Sequence, residues 1–408
     1  MKKVDKILFV FAIVILIFAI IFFPKARIRF SNTEIVFLQW WKNELTNNAL
    51  EKIVNEYEAE NYGVKILLET KTKKAVKDAL FSFMQEQNEE QIKEEKKTKE
   101  TTRLPDIIAI DTLWFDDVSK ADFFEALPEY GEDIAADKTA TVLSFINPLY
   151  YNITMLLDAG IDRPVKTQTD FLNICRKLKE KKYFGYSMSD DYFEEMFPWF
   201  AISDDTEFDF TSKNFISVLE LFDTLQEELL VHINAEKDAD KNIFDFCEGK
   251  TAMMSAPYYT IDKIKTRNPK INFNVTTIPY YGDYPPETFF VSTNWNIAVP
   301  TSAKHKEDIA KFVTFLMNNK QKLLEHKTTL EGKGSADNTA ADLSKSEDPV
   351  YAKMKSFESG RTITVSDVFK RSAGIKTIFN EEVGIMLKTK RSAKETAQII
   401  KKRYDEEQ

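Results

Sequence analysis

The sequence predicts an α/β protein of two domains that is preceded by a transmembrane helix. Three observations predict this organisation: strands and amphipathic helices alternate from residue 34 onward, the chain is 408 residues long, and residues 7–23 are apolar throughout. A chain of this length exceeds a single ordinary domain. With 43% hydrophobic and 30% charged residues, its composition is that of a globular protein.

The apolar run at the N-terminus has nearly the length of a membrane span. Its 17 residues follow Lys2, Lys3 and Lys6, and at about 1.5 Å per residue they nearly cross a hydrocarbon core of about 30 Å. The run is longer than the roughly 7–15 residues of a secretory signal, and the basic residues after Pro24 make a poor cleavage site. We predict that residues 1–30 are an uncleaved signal-anchor that places the rest of the chain outside the cytoplasm. A cleaved signal peptide is the alternative.

Charge and cysteine content exclude several kinds of partner and site. The net charge is −9; six lysines and arginines against one aspartate give residues 1–29 a charge of +5, so the remainder carries −14. An acidic body argues against nucleic acid, whose binding depends on neutralising phosphates. Cys175 and Cys247 fall at apolar positions of predicted helices, which favours buried thiols over a disulfide. No Cys/His cluster has the spacing of a metal site, and we expect no cofactor.

The first part of the body alternates strands with helices. Strands are predicted at 34–38, 64–68 and 106–110, and Asn48 and Glu51 have the spacing of a capping box at the start of the first helix. That helix carries an apolar stripe formed by Leu50, Ile53, Val54 and Tyr57. Alternating strands and helices predict a mostly parallel sheet with helices on both faces.

Residues 85–103 form a charged insertion after a helix predicted at 72–84. Eleven of its 19 residues are charged, with mixed signs, and Ile92 is its only large apolar residue. Such a segment cannot supply core. We expect either a solvated extension of the preceding helix or a disordered loop.

The most informative segment is 244–259, which reads FDFCEGKTAMMSAPYY. Gly249 is a helix C-cap signal, residues 251–255 form a short apolar strand, and Pro257 ends strand pairing. Tyr258 is therefore expected at a strand end, which is the part of an α/β sheet where ligands bind. An ordinary helix-to-strand connection with packing tyrosines is the alternative.

Two further segments complete a pattern of motifs. Residues 149–152 are predicted as a strand, Thr167 and Asp170 have the spacing of a helix cap, and residues 292–299 read STNWNIAV. Together with the GKTAM segment, these motifs follow the order found in the extracellular solute-binding proteins of ABC sugar importers. The chain resembles this family (family 1, similar to maltose-binding protein) over about residues 34–320.

The resemblance implies a two-lobed periplasmic-binding-protein fold (Venus flytrap) with the ligand buried between the lobes. The N-terminal lobe would comprise residues 31–145 and 262–306, and the C-terminal lobe residues 146–261 and 307–408. Proteins of this family capture a carbohydrate or a related polar solute and deliver it to the permease of an ABC importer. The resemblance therefore implies a monomeric binding protein at the periplasmic side or cell surface, and not an enzyme.

Nine residues are candidates for ligand contacts. Sugar rings stack their C–H faces on indoles, and their hydroxyls need fixed polar partners. All five tryptophans lie at or near a predicted strand end or a segment that crosses between lobes, and Tyr258 matches the position where sugar-binding members of the family place a stacking aromatic. The candidates are Tyr258, Trp40, Trp41, Asp111, Trp114, Asp190, Trp199, Asn294 and Trp295. For any one tryptophan, a place in the core of a lobe is the alternative.

Two other functions are compatible with the sequence. A sensor or adhesion protein on the same fold would keep the cleft without transport. An extracytoplasmic carbohydrate-active enzyme is the least favoured, because the three histidines are scattered and neither H-E-x-x-H nor G-x-S-x-G occurs. Paired carboxylates, which a glycosidase needs, occur at Asp190, Asp191, Glu194 and Glu195.

Overall fold

Two β-sheets organise the chain. The computed structural model describes residues 33–45, 48–92, 105–111, 114, 118, 123–127, 138–200, 208–235, 239–281, 288–324, 350, 353, 361–364 and 372–407. The predicted signal-anchor at residues 1–30 lies outside these ranges. Within them, no helix combines the length and the apolarity needed to cross a bilayer.

The first sheet contains six strands. They are β1 (Thr33–Gln39), β2 (Val64–Thr70), β3 (Ile107–Asp111), β4 (Ala140–Ile146), β10 (Thr288–Ala298) and β11 (Arg361–Thr364). β1 lies between β2 and β3 and is parallel to both, as the strand–helix alternation predicts. β10 runs antiparallel to β3 and β4. All five residues of β3 are buried, which places this strand at the centre of the sheet.

The second sheet contains five strands in the order β7-β6-β8-β5-β9. They are β5 (Leu149–Asn152), β6 (Phe184–Ser189), β7 (Val231–Asn234), β8 (Thr251–Ser255) and β9 (Phe273–Thr276). β6 is parallel to β7 and β8, whereas β5 is antiparallel to β8 and β9. The two strands predicted from the motifs, β5 and β8, are therefore neighbours.

Helices cover both sheets. Those packed on the first sheet or on one another beside it are α1 (Trp41–Glu44), α2 (Ala49–Glu60), α3 (Lys73–Ile92) and α10 (Lys306–Asn319), which continues as a 3-10 turn at Lys320–Leu324. Those of the second sheet are α4 (Ile153–Asp158), α5 (Gln168–Glu180), α6 (Tyr192–Met196), a 3-10 turn at Phe197–Trp199, α7 (Lys213–Glu227), α8 (Ala239–Cys247), α9 (Thr260–Arg267), α11 (Ser372–Met386) and α12 (Ala393–Glu407). We call the two groups the first lobe and the second lobe.

Local sequence signals account for several element boundaries. The Thr167 hydroxyl accepts a hydrogen bond from the Asp170 backbone N–H at 3.1 Å, so this predicted cap is present. Gly249 has φ +71°, the left-handed conformation expected after the end of α8. The capping box predicted at Asn48 is wrong, because the Asn48 side chain makes no cap hydrogen bond. Helix α3 extends to Ile92, which makes the start of the charged insertion helical.

Two segments differ from the lobe boundaries expected from the sequence. β9, within the segment 262–306 assigned to the N-terminal lobe, pairs with β5 in the second sheet. Helix α10, assigned mostly to the C-terminal lobe, packs on α2 of the first lobe, with the Phe312 and Tyr57 rings 5.1 Å apart. Both corrections have the same reason: partner choice is decided by long-range packing of short apolar elements, and local periodicity does not encode it.

Candidate functional site

An aromatic cluster lies where the first lobe meets the second. In the first lobe the Trp41 and Trp295 rings stack with centroids 5.2 Å apart and an interplanar angle of 6°. Trp40 contacts Trp41 at 6.4 Å and Trp114 at 5.3 Å. Strand order explains this convergence: Trp40 and Trp41 follow β1, and Trp295 in β10 is paired with Asp111 at the end of β3. Four predicted tryptophans therefore share one site.

Two tyrosines of the second lobe join this cluster through Phe145 of β4. The Phe145 ring lies 5.4 Å from that of Tyr258 and 4.8 Å from that of Tyr259. Tyr259 also lies 5.4 Å from Trp295. Pro257, two residues after β8, accepts a hydrogen bond through its carbonyl from the hydroxyl of Tyr150 in the neighbouring strand β5, at 3.0 Å. The ring contacts of Tyr258 and Tyr259 place the segment after β8 against the first lobe.

The Tyr259 hydroxyl faces acidic groups from both lobes. Burial is the main cause that raises the pKa of Tyr259, and the nearby carboxylates Glu44, Asp240, Asp111 and Glu194 raise it further. A phenol in this position stays protonated and can donate a hydrogen bond. The ring of Tyr259 therefore borders both an aromatic surface and a charged one.

An interlobe ion network, which we define as Lys73, Asp111, Asp191, Glu194 and Lys376, forms the charged surface. The Lys73 Nζ lies 2.8 Å from Asp111 Oδ2 and 3.8 Å from Glu194 Oε1. The Lys376 Nζ lies 2.7 Å from Asp191 Oδ2 and 2.8 Å from Glu194 Oε1. Because Lys73 and Asp111 belong to the first lobe and the others to the second, Lys73 bridges the two lobes.

Opposite charges determine the ionisation of this network. Burial alone would raise the pKa of Glu194, but Lys376 and Lys73 outweigh it and hold that pKa well below its usual range. Burial likewise opposes the charge of Lys376, yet Glu194 and Asp191 raise its pKa. Glu194 and Lys376 are therefore both charged at neutral pH.

A second-lobe polar network lies behind Glu194 and consists of Ser187, Ser189, Glu195, Asn234 and Asn242. Glu195 Oε1 accepts hydrogen bonds from the Ser189 N–H at 2.8 Å and the Asn242 side-chain amide at 2.9 Å. Asn242 Oδ1 in turn accepts from Asn234 at 2.7 Å and from Ser187 Oγ at 3.0 Å. Burial raises the pKa of Glu195 to about 8, so this carboxyl group is protonated at neutral pH.

The remaining predicted site residues, Trp199, Asp190 and Asn294, make no ring contact with the aromatic cluster among the described residues. The Trp199 ring packs 4.9 Å from Phe171 and 5.3 Å from Phe222 in the core of the second lobe, and the 3-10 turn that carries it also contacts β10. The Asp190 backbone N–H donates to the Asn234 carbonyl at 3.0 Å, which puts Asp190 at the end of β6. The backbone of Asn294 is paired with Ser144, and its side chain lies outside the described part of the chain.

Sequence reasoning missed several residues of this site. The sequence does not predict Lys73, Lys376 or Tyr259, and it indicates Glu194 only as one of the paired carboxylates of a glycosidase. In the structure Asp191 and Glu195, from the same group of carboxylates, are each 7% exposed and hydrogen-bonded. Only Tyr259 carried a local signal, its place beside Tyr258 after a strand end.

Metal binding has no support in the described ranges. They contain no group of three or more His, Cys, Asp or Glu side chains that could hold a metal ion. Cys175 and Cys247 are both buried and unbonded to each other, and burial raises the pKa of each thiol. Neither thiol is therefore available as a metal ligand or nucleophile at neutral pH.

Comparison with known proteins gives one family and a fold. The model of the family described as bacterial extracellular solute-binding protein matches residues 43–323. No curated protein sequence matches the chain. The match covers β2, β3, β4 and β10 of the first sheet and all five strands of the second sheet, and it ends within the 3-10 turn after α10.

Solved structures of similar fold cover nearly the whole chain. The GacH receptor of Streptomyces glaucescens is 14% identical with a TM-score of 0.70, over 92% of this chain and 98% of that one. A solute-binding protein of an ABC transporter from Thermotoga lettingae is 17% identical with a TM-score of 0.67, over 92% and 98%. The galacto-N-biose/lacto-N-biose I-binding protein of Bifidobacterium longum is 10% identical with a TM-score of 0.66, over 91% and 95%. At these identities the likeness establishes the two-lobed fold.

Proposed function

Because the chain belongs to the bacterial extracellular solute-binding proteins, we propose that it binds a carbohydrate or a related polar solute between its lobes and delivers it to an ABC importer. The observation that carries this proposal is the aromatic cluster beside the interlobe ion network. Aromatic faces suit the C–H faces of a sugar ring, and fixed charged groups suit its hydroxyls. Binding without catalysis fits the same residues, since the carboxylates near the cluster are engaged in ion pairs.

Two buried indole N–H groups support a polar ligand. Trp41 and Trp295 are both 0% exposed, and within the described residues neither Nε1 has a hydrogen-bond partner. A buried donor without a partner costs about 1–3 kcal/mol. Trp199 Nε1 in the second lobe is also without a partner in the described residues, so it is the position of Trp41 and Trp295 at the junction of the lobes that favours a ligand here. An acceptor oxygen of a bound solute would offset that cost. Solved structures of similar fold include proteins bound with acarbose, lacto-N-biose and α-D-tagatose, which supports a carbohydrate.

The proposal includes a tether and a location. The apolar run at 7–23 would hold the protein at the outer side of the cytoplasmic membrane, beside the permease that it serves. The acidic body, with a charge of −14 beyond residue 29, would keep it away from anionic lipid surfaces. A monomer suffices for this function, because each chain contains both lobes of the cleft.

Intrinsic tryptophan fluorescence tests the proposal. The full-length protein in mild detergent would be titrated with neutral sugars, polyols and acidic sugars, and we expect a saturable change for at least one of them. Trp41→Phe should reduce the affinity, because it replaces the indole with a smaller phenyl ring and removes the indole N–H donor from the site. Trp199→Phe is the matched control: it is also a buried tryptophan, but it lies in the second-lobe core and should leave the affinity unchanged.

Two results would count against the proposal. A folded protein that responds to none of these solutes would contradict carbohydrate binding. Equal losses of affinity in Trp41→Phe and Trp199→Phe would place the binding site away from the aromatic cluster. Tethering is tested separately by fractionating cells: recovery of the intact chain in the soluble fraction would contradict the anchor.

A further inference from the structure

We propose that the solute carries an anionic group, a carboxylate or a phosphate, that binds among Lys73, Lys77 and Lys376 at the junction of the lobes. This inference rests on the proposed function and specifies its substrate class as acidic carbohydrates. The three lysines come from two lobes: Lys73 and Lys77 from α3, and Lys376 from α11. An anion bound to all three would hold the lobes together.

Two of these lysines already converge on one carboxylate. Glu194 Oε1 lies 2.8 Å from the Lys376 ammonium and 3.8 Å from the Lys73 ammonium. Glu194 is also the most accessible acid of the network, with a side chain 36% exposed against 2% for Asp111 and 10% for Asp191. Glu194 therefore occupies a position where a ligand anion would find two ammonium groups from opposite lobes.

Lys77 adds a third ammonium group to the same place. It lies one helical turn after Lys73, on the same face of α3, and its Nζ is 5.4 Å from the Phe81 ring centroid. Among the described residues, no carboxylate oxygen lies within 4.0 Å of this ammonium. Burial and the neighbouring Lys376 lower the pKa of Lys77. A partly buried cation beside other cations is stabilised when an anion binds next to it.

The anion subsite adjoins the aromatic cluster. Asp111, the partner of Lys73, is paired in the sheet with Trp295. The negative charge of Glu194 contributes to the raised pKa of Tyr259. A sugar ring on the aromatic surface would thus place an attached acidic group toward the lysines. Ammonium groups are donors only, and their hydrogen bonds to an ionised acceptor are about twice as strong as bonds between neutral groups. This preference favours an acidic sugar over its neutral counterpart.

Matched ligand pairs test the inference. Isothermal titration calorimetry on the full-length protein would compare D-glucuronate with D-glucose, D-galacturonate with D-galactose, digalacturonate with galactobiose, and glucose 6-phosphate with glucose. We expect at least one anionic member to bind about tenfold more tightly than its neutral partner, since one added charged hydrogen bond is of that order. The carboxylate and phosphate pairs distinguish the two sources of negative charge.

Three variants test whether the anionic group binds at these lysines. Lys77→Gln should weaken the anionic ligand about tenfold and leave the neutral one unchanged, while the exposed neighbour Lys74→Gln should change neither. Glu194→Gln removes the competing carboxylate and should tighten anion binding. Lys77 makes no ion pair within the described residues, so its replacement should not unfold the protein.

The outcomes separate this inference from the proposed function. Neutral sugars that bind as tightly as acidic ones, or an anionic ligand insensitive to Lys77→Gln, would overturn the anionic subsite and leave carbohydrate binding intact. The absence of binding by every member of every pair would overturn both. Tighter binding of an anionic member that is lost in Lys77→Gln and kept in Lys74→Gln supports the inference.

Discussion

The two sides of the cleft are built in different ways. The first-lobe side is aromatic, with Trp40, Trp41, Trp114 and Trp295 packed ring against ring. The second-lobe side is polar, with Glu195, Asn234 and Asn242 linked by hydrogen bonds of 2.7–2.9 Å. The aromatic side consists of rings buried against one another, whereas the polar side lies next to the charged Glu194. We propose that recognition of the solute is divided in the same way, between shape on one lobe and charge on the other.

The difference extends to how polar groups are satisfied. On the aromatic side, Trp41 and Trp295 each bury an indole N–H without a partner in the described residues. On the polar side, the side chains of Asn234, Asn242 and Glu195 are hydrogen-bonded to one another or to backbone. The second lobe also buries groups without a partner in the described residues, among them the Thr251 and Ser255 hydroxyls of β8, so the satisfied hydrogen bonds are a feature of Glu195 and its partners and not of the whole lobe.

Truncating one buried tryptophan in each lobe should lower the free energy of unfolding most, and it compares the two lobes directly. Trp295→Ala and Trp199→Ala should each lower the free energy of unfolding by about 4 kcal/mol, because each leaves a large cavity in a packed core. Only Trp295→Ala should also abolish the ligand-induced fluorescence change. Chemical denaturation measures the first quantity, and titration of the folded protein at low temperature measures the second.

The same pair of variants can contradict the assignment of ligand stacking to the first lobe. If Trp199→Ala loses the ligand response as completely as Trp295→Ala, stacking is not confined to the first lobe. The division into an aromatic and a polar side would then not describe recognition.

Ionisation of the buried Glu195 carboxyl group at high pH should cause the next largest loss of stability. Its pKa is raised from 4.5 to about 8 in the folded protein, so this group's stabilising contribution is complete below about pH 4.5 and is lost as pH rises through 8. The shift corresponds to at most about 5 kcal/mol, and after relaxation around the ionised group we expect about 3 kcal/mol. Glu195→Gln stays neutral and keeps an acceptor for Ser189 and Asn242. Its free energy of unfolding should therefore exceed that of the parent protein at pH 9.

Thermal unfolding at pH 6 and pH 9 checks this expectation. The exposed Glu180→Gln serves as the control, and it should keep the alkaline loss of stability seen in the parent protein. A loss of stability between pH 6 and 9 that is equal in Glu195→Gln and the parent protein would show that another group titrates. The polar side would then not owe its rigidity to a protonated carboxyl group.

Removing the interlobe ion pair has a smaller effect. Lys73→Gln leaves the Asp111 carboxylate, whose side chain is 2% exposed, without its lysine. Breaking a fully buried pair costs about 3–5 kcal/mol, and because Lys73 is partly exposed we expect about 2 kcal/mol. The loss of the bridge to Glu194 should also increase the radius of gyration measured by small-angle scattering with bound solute. The exposed Lys74→Gln should match the parent protein in both measurements.

Local signals predicted much of the fold. The stripe Leu50, Ile53, Val54 and Tyr57 is buried along α2, and the Thr167 cap and the strands β5 and β8 lie where the sequence predicts them. Such features depend on residues a few positions apart, so a period or a cap can be recognised without knowing what packs against it. The two-lobed arrangement came from the order of several motifs, and the family match bears it out.

The interlobe ion network could not be predicted in this way. Lys73, Glu194 and Lys376 are separated by more than a hundred residues, and no spacing in the sequence connects them. The aromatic cluster was partly predictable, because tryptophans at strand ends are visible in the sequence. Which of them meet depends on the antiparallel register of β10 with β3, which pairs Trp295 with Asp111. Trp199 has similar local surroundings in sequence and packs elsewhere, because β6 and α5 form its core.

Replacing Gly249, in the connection between α8 and β8, should change the free energy of unfolding least. Gly249 has φ +71° and connects α8, which supplies Asn242, to β8, which ends before Tyr258. A Cβ added at Gly249 would meet no atom within 4 Å, so Gly249→Ala costs only the backbone strain of a left-handed alanine, about 1 kcal/mol. Chemical denaturation should detect this loss with ligand affinity unchanged. A loss of affinity without a loss of stability would instead mean that the Gly249 connection determines the position of Tyr258. The second lobe would then also contribute a ring that stacks on the solute.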